Sequence, residues 1–203
     1  MSLLNSIESI HKVVRPKKGQ RISLPLPCGS ADSLMIANWI NEKNNSKNGK
    51  TGTQRLVVCN SQETADRIHE ELNYFSTGKN IKLLSDWEIL PYEPFSPHKD
   101  LISERLLCFY ESSIALTDAI IINAETSLIK IVPPEFITAK TFFFTTGQKL
   151  PIKKLKTQLS IAGYDKTNQV ISPGEFSIRG NIIDLFPMGS NLPFRIELFD
   201  DEI

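Results

Sequence analysis

Short apolar runs that alternate with helical patterns constrain the first two thirds of this chain most strongly. Apolar residues cluster at 56–59, 81–84 and 118–123, and the intervening segments 61–75 and 98–115 space their apolar side chains as helices do. The run at 118–123 is continuous rather than alternating, as in a strand covered on both faces. Strands that alternate with helices predict an α/β fold with a mostly parallel, doubly wound sheet.

An earlier strand and helix are predicted at 21–26 and 30–40, in the order expected around a phosphate-binding P-loop. In the register of that motif, Leu26 and Ala31 occupy the two glycine positions, and Asp32 occupies the lysine position. Only Ser33, at the position of the magnesium ligand, keeps the hydroxyl that the motif requires. A carboxylate at the lysine position repels phosphate. We therefore expect no nucleotide site at this turn.

A second partial match to a P-loop ends at Gly49-Lys50-Thr51, but Asn44 stands at its first glycine position. This match lies in a polar segment before a strand, which is the wrong topological place for a phosphate loop. We interpret it as a chance occurrence in a segment rich in Lys, Asn and Gly.

Pro133–Pro134 interrupts the alternating pattern, and we place a domain boundary there, giving domains at 1–133 and 134–203. In the second domain we predict a helix at 151–162 that ends before Gly163. Strand then follows strand without an intervening helix, which indicates a small α+β domain with an antiparallel sheet. The strands are predicted at 141–145, 168–171, 176–186 and 194–199.

The stretch 172–187 is the candidate working surface of the second domain. Its Pro173–Gly174 pair marks a tight turn, and the following residues are rich in Phe and Ile, which suit a half-buried strand. We interpret it as the return strand of a hairpin. Arg179 would project from that strand toward a partner.

Composition limits the other function classes. Lys plus Arg and Asp plus Glu each number 23, so no global field attracts the chain to nucleic acid or to a membrane. Three separated cysteines favour reduced thiols in a cytoplasmic protein, and no apolar run is long enough to span a membrane. The histidines share no metal-ligand spacing, so neither a metal nor another cofactor is expected.

Asp86, Glu88 and Glu93 could indicate acid/base chemistry, but capping of turns is the simpler interpretation.

Residues 84–106, which begin Leu-Ser-Asp-Trp-Glu-Ile-Leu-Pro-Tyr, and residues 192–203, which begin Leu-Pro-Phe-Arg-Ile-Glu-Leu-Phe, closely resemble the bacterial transcription-repair coupling factors, the Mfd family. The resemblance covers the chain from about residue 20. It implies the N-terminal module that is similar to the excinuclease subunit UvrB: a degenerate P-loop-type, helicase-like domain followed by a small domain that binds UvrA. The fragment itself would then be no enzyme.

The resemblance also implies which residues contact UvrA. The positions that match the family's docking surface are Lys166, Arg179 and Glu197, with Arg195 as a weaker candidate from the same strand as Glu197. Lys166 replaces an arginine and loses its bidentate fork, and Ser177 replaces a further basic residue. The alternative is that Arg179 and Glu197 merely pair with each other across neighbouring strands.

The family's motor, its RNA-polymerase-binding domain and the segment that completes the first domain would all follow Ile203, so we expect the chain to be truncated. RNA polymerase and DNA would then be contacted only through those regions, and later domains of the same polypeptide are further expected partners. Two other functions stay open: a UvrB-like nucleotide-dependent repair enzyme that binds ATP at 26–33 or 49–51, and a DNA-binding module, which the neutral charge disfavours.

Overall fold

The computed structural model describes residues 17–24, 27–41, 54–89, 92–139 and 141–203. These residues form two compact units. The first contains the described residues up to Asp86 together with Ala115–Ile129, and the second contains those of Trp87–Ile114 and Lys130–Ile203. The second unit thus includes a helix that precedes the boundary predicted at Pro133–Pro134, and that boundary stays a prediction.

The first unit is a three-stranded parallel sheet with two helices. Its elements are α1 (Ala31–Asn41), β1 (Arg55–Cys59), α2 (Gln62–Phe75), β2 (Ile81–Leu84), β3 (Ala119–Asn123) and a short 3-10 helix (Thr126–Leu128). The strand order is β1-β3-β2, and both pairings are parallel. Ser61 caps α2 by accepting a hydrogen bond from the Thr64 amide.

The core of the first unit lies between this sheet and the two helices. Its fully buried members include Ala65 and Leu72 of α2 and Ile121 of β3. Leu56 and Val58 of β1 are more than half exposed, so the described residues cover only one face of that strand. The parallel sheet is therefore confirmed, whereas the doubly wound, degenerate P-loop arrangement stays a prediction.

The second unit combines helices with a four-stranded mixed sheet. Its elements are α3 (Lys99–Ser113), α4 (Pro134–Ala139), α5 (Ile152–Ile161), β4 (Asp165–Lys166), β5 (Glu175–Arg179), β6 (Ile182–Phe186) and β7 (Phe194–Glu197). The strand order is β4-β5-β6-β7; β4 pairs with β5 in parallel, and the other pairings are antiparallel. Leu155 and Leu159 of α5 pack on Phe176, Ile183 and Leu185 of one sheet face.

The predicted strand at 176–186 is wrong in one respect, because it is two strands. A two-residue turn at Gly180–Asn181 joins β5 to β6, and Gly180 has a φ of +61°. Glycine adopts this conformation without steric cost, which makes the pair a natural hairpin turn. The turn at Pro173–Gly174 is present, but it leads into β5 and does not join the two strands of the hairpin.

Three other predicted strands are absent from the described residues. Residues 21–24 are irregular, and 25–26 lie outside the described residues. Residues 141–145 form no ladder; Phe142 and Phe144 stack on each other, 6.5 Å between ring centroids, and pack on the core. Residues 168–171 form a loop. At its end, the backbone amides of Ile171 and Ser172 donate hydrogen bonds to the Glu175 carboxylate of β5. The predicted purely antiparallel sheet is corrected by the parallel β4–β5 pair.

Candidate functional site

One face of the second sheet carries charged side chains, and we call it the charged face. Because side chains alternate along a strand, the residues between the core positions point away from α5. The register aligns Arg179 with Ile182 and Glu197, and Ser177 with Asp184 and Arg195. Three of the four predicted contact residues, Arg179, Arg195 and Glu197, therefore share this face.

Asp184 binds both arginines of the charged face. Its Oδ2 accepts a hydrogen bond from Arg179 Nη2 at 2.7 Å and one from Arg195 Nη2 at 3.1 Å, while its Oδ1 accepts one from Arg195 Nε at 2.7 Å. The Asp184 side chain is only 15% exposed, whereas those of Arg179 and Arg195 are 62% and 57% exposed. The carboxylate thus fixes two guanidinium groups whose other edges face solvent.

The electrostatics of this cluster follow from those hydrogen bonds. Hydrogen bonding from Arg195, reinforced by Arg179, holds the pKa of Asp184 below its ordinary value. Conversely, the bond to Asp184 raises the pKa of Arg195, to which the nearby Glu197 carboxylate adds. Both shifts favour the charged forms of Asp184 and Arg195 at neutral pH.

The ion pair that forms is not the one considered in the sequence. Arg179 bonds to Asp184, and β6 lies between β5 and β7, so Arg179 and Glu197 do not stand on neighbouring strands. Sequence reasoning missed Asp184. The sequence does contain an indication, because Asp184 is the single carboxylate among the apolar residues of Ile-Ile-Asp-Leu-Phe. Predicting its partners, however, requires the turn at Gly180–Asn181 to be placed correctly.

Lys166 is not brought together with the other predicted residues. Its register partner on β5 is Phe176, a core residue, so alternation places Lys166 on the face opposite the charged face. Its exposed position on the edge strand β4 leaves it accessible around that edge. Ser177 does lie on the charged face but is buried, so it offers little surface to a partner.

A second charged cluster lies at the β4 edge of the same face. Glu175 Oε2 accepts hydrogen bonds from the Ile171 and Ser172 amides at 2.9 and 3.0 Å, which fixes the end of the loop before β5. Lys99 Nζ lies 3.5 Å from Glu175 Oε1 and 2.9 Å from Asp165 Oδ2. The two amide hydrogen bonds lower the pKa of Glu175.

The turn that would form a P-loop is occupied by an internal ion cluster. Asp32 binds Arg67 of α2 through two hydrogen bonds of 2.6 and 3.2 Å, and Glu71 accepts one from Arg67 at 2.8 Å. Glu71 also accepts hydrogen bonds from the hydroxyls of Ser33, at 2.5 Å, and Ser30, at 2.7 Å. The hydroxyl at the magnesium-ligand position is thus directed to a carboxylate, while Leu26 lies outside the described residues.

Hydrogen bonds lower the pKa of both carboxylates in this cluster, from Arg67 for Asp32 and from Ser33 for Glu71. A phosphate at the start of α1 would therefore meet two negative charges and one positive charge. The second P-loop match at 49–51 lies outside the described residues. Among the described residues, no group of three or more His, Cys, Asp or Glu is arranged to hold a metal ion.

No helix in the described part of the chain is long and apolar enough to cross a membrane. Asp86, Glu88 and Glu93 lie in the irregular segment between β2 and α3. Their assignment as caps rather than acid/base groups stays a prediction.

Comparison with known proteins gives a consistent result. A family model described as the UvrB interaction domain matches residues 142–203, which contain all of β4 to β7. The transcription-repair-coupling factor of Escherichia coli (strain K12) is 39% identical over 148 residues, 73% of this chain and 13% of that protein. The protein of the same name from Haemophilus influenzae is 36% identical over 173 residues, 85% of this chain and 14% of that protein.

A UvrABC system protein B is also similar. The one from Thermosipho africanus is 24% identical over 210 residues, which are 97% of this chain and 31% of that protein. The chain therefore spans 13 to 14% of the length of the first two coupling factors it matches. The resemblance inferred from the sequence motifs is confirmed by these matches.

Proposed function

We propose that this chain, a relative of the transcription-repair-coupling factors that carries a UvrB interaction domain, recruits UvrA for transcription-coupled nucleotide excision repair and hydrolyses no ATP itself. The observation that carries the proposal is the pair of exposed guanidinium groups, those of Arg179 and Arg195, that Asp184 holds on one sheet face. Glu197 adds a carboxylate to the same face, and Lys166 is reached around the β4 edge.

The geometry of the charged face suits protein recognition for two reasons. A guanidinium that a mostly buried carboxylate already orients loses little conformational freedom on binding, because its rotamer is fixed before the partner arrives. Charges of both signs at fixed positions also select a partner with the opposite pattern and exclude others. The proposal assigns the sheet to UvrA docking and the first unit to scaffolding.

The alternative of a UvrB-like nucleotide-dependent enzyme is less favoured. It has the support of the similarity to UvrABC system protein B, but the Asp32–Arg67–Glu71 cluster stands where a phosphate would bind.

Replacement of Arg179 by glutamate tests the proposal. The new carboxylate would lie beside Asp184 and repel the same partner groups that the guanidinium attracts. We expect the affinity for purified UvrA, measured by isothermal titration calorimetry, to fall by roughly 30-fold or more, as for a central interface residue.

Two further variants control this experiment. Lys153→Glu changes the same charge on the exposed side of α5, away from the charged face, and is expected to leave the affinity unchanged. Arg195→Gln keeps Arg179 and removes its neighbour, so a partial loss is expected. If Arg179→Glu binds UvrA as the unsubstituted chain does, with an unchanged circular dichroism spectrum, the docking face is assigned wrongly.

A further inference from the structure

An apolar side chain lies between the charges of the charged face. Ile182 of β6 is aligned in register with Arg179 on one neighbouring strand and with Glu197 on the other. It is 37% exposed, whereas the next residue, Ile183, points to the opposite face and is fully buried in the core. Ile182 therefore presents apolar surface to solvent between a cation and an anion.

Phe199 lies close to this position, one residue beyond the buried Leu198. The Leu198 amide donates a hydrogen bond to the Asn181 carbonyl at 2.9 Å, so the chain after β7 still runs beside the hairpin turn. Because Leu198 packs in the core, alternation directs Phe199 to the side of the charged face, where it is 86% exposed. Diagonal neighbours on an antiparallel pair, here Ile182 and Phe199, lie within reach of an aromatic side chain.

The backbone fixes the position of Phe199 although its ring is exposed. The Phe199 amide donates a hydrogen bond to the Glu202 carbonyl at 2.9 Å, and the Phe199 carbonyl accepts one from the Glu202 amide at 3.1 Å. Asp200, in the turn between them, has a φ of +57°. A ring on a fixed backbone loses less conformational freedom on binding than one on a mobile segment, so it is prepared to be buried by a partner.

We infer that Ile182 and Phe199 form the apolar part of the UvrA docking surface, and that Arg179 and Glu197 belong to its charged rim. This inference rests on the proposed function and deepens it, because it states the chemistry of the partner's side. The complementary site on UvrA is an apolar patch bordered by charged groups, since interfaces combine an apolar core, enriched in aromatic residues, with a polar rim. The apolar pair is continuous with the face proposed to dock UvrA, so the same partner covers both.

The division of labour between the two parts follows from their energetics. Exposed ion pairs contribute little affinity by themselves, and their main effect is on the choice of partner. Burial of an aromatic side chain, by contrast, removes about 150 to 250 Å² from water and strengthens binding without regard to salt. The charges therefore select UvrA, and the apolar pair holds it.

Replacement of Phe199 by serine in the full chain tests the inference. The affinity for UvrA, measured by isothermal titration calorimetry, is expected to fall by roughly 30-fold, as for an aromatic residue in the core of an interface. The heat-capacity change of binding should become less negative, because less apolar surface is buried, while the dependence of the affinity on salt should stay the same. Ile182→Thr keeps a β-branched side chain that suits a strand, and it should cause a smaller loss.

Two controls separate this role from an effect on folding. Phe199→Ser should leave the free energy of unfolding in urea nearly unchanged, because the ring is mostly in solvent. Ile161→Ser removes an apolar side chain of similar exposure, 71%, from the end of α5, which packs on the other face of the sheet. That variant should bind UvrA as the unsubstituted chain does.

Unchanged affinity in Phe199→Ser overturns the inference, and so does a loss of affinity without a change in the heat capacity of binding. Self-association of the unsubstituted chain that Phe199→Ser abolishes, with UvrA affinity unchanged, also overturns it and assigns the ring to a contact between copies of this chain. If the unsubstituted chain fails to bind UvrA, the proposed function is wrong as well. If Arg179→Glu weakens binding and Phe199→Ser does not, only the inference about the apolar pair is wrong.

Discussion

Asp184 is the residue on which the geometry of the charged face depends. It is mostly buried between two exposed arginines and accepts three hydrogen bonds from them. Without it, the two guanidinium groups on β5 and β7, the strands on either side of β6, would repel each other and lose their fixed orientation. A single carboxylate therefore converts two flexible side chains into one preorganised surface.

Replacement of Asp184 by asparagine should reduce both stability and docking. The free energy of unfolding, measured in urea, is expected to fall by about 1 kcal/mol at pH 7, because the amide cannot satisfy two cations. The loss of stability is small because the side chains of Arg179 and Arg195 are more than half exposed, and solvent screens their charges.

The pH dependence checks the cause of that loss. The pKa of Asp184 is lowered on folding, so its contribution is fully present above the ordinary value of 3.8 and is lost as the pH falls through the lower folded value. The difference between wild type and Asp184→Asn should therefore vanish in acid below that range. Glu104→Gln, a substitution at an exposed position of α3, is the control. It should change neither the free energy of unfolding at pH 7 nor the dependence of that free energy on pH. A difference that persists unchanged in strong acid contradicts the assignment.

At the scale of elements, the sequence predicted the helices and strands whose defining residues lie within the element itself. Residues 81–84 and the helices α2 and α5 match closely, because each carries its own apolar period and terminal residues. Phe142 and Phe144 are spaced as strand residues are, yet they pack on the core without pairing with a neighbouring strand. The pairing of Asp184 and the side of the sheet that Lys166 occupies depend on register, which no single segment encodes.

The turn between β6 and β7 provides a test of how α3 is held. Gly189 and Gly180 both have positive φ, +84° and +61°, so alanine is strained at either position. Only Gly189 would also place its new methyl group 3.2 to 3.3 Å from Leu107, whereas nothing lies within 4 Å at Gly180. Gly180→Ala should cost about 1 kcal/mol of unfolding free energy, and Gly189→Ala roughly 1 kcal/mol more. Equal losses in urea denaturation would show that α3 does not pack closely there.

Over the whole molecule, a net charge of zero conceals two clusters of opposite character. In the first unit one guanidinium, Arg67, is bound by the two carboxylates Asp32 and Glu71. In the second unit one carboxylate, Asp184, is bound by two guanidinium groups. The first arrangement opposes a phosphate ligand, and the second offers positive edges to an acidic partner. Overall composition therefore says little about recognition, which depends on these local arrangements.

The first cluster leads to a prediction about the intact chain. Bound ATP would have to bring its phosphates beside Asp32 and Glu71 at a turn whose serine hydroxyls already donate to Glu71. We expect equilibrium titration with fluorescent ATP and magnesium to show no saturable binding below about 1 mM. An ATPase with an intact P-loop, titrated in parallel, establishes that the assay detects binding. Micromolar, magnesium-dependent affinity in this chain would instead favour the UvrB-like enzyme, because only a competent phosphate site produces both features.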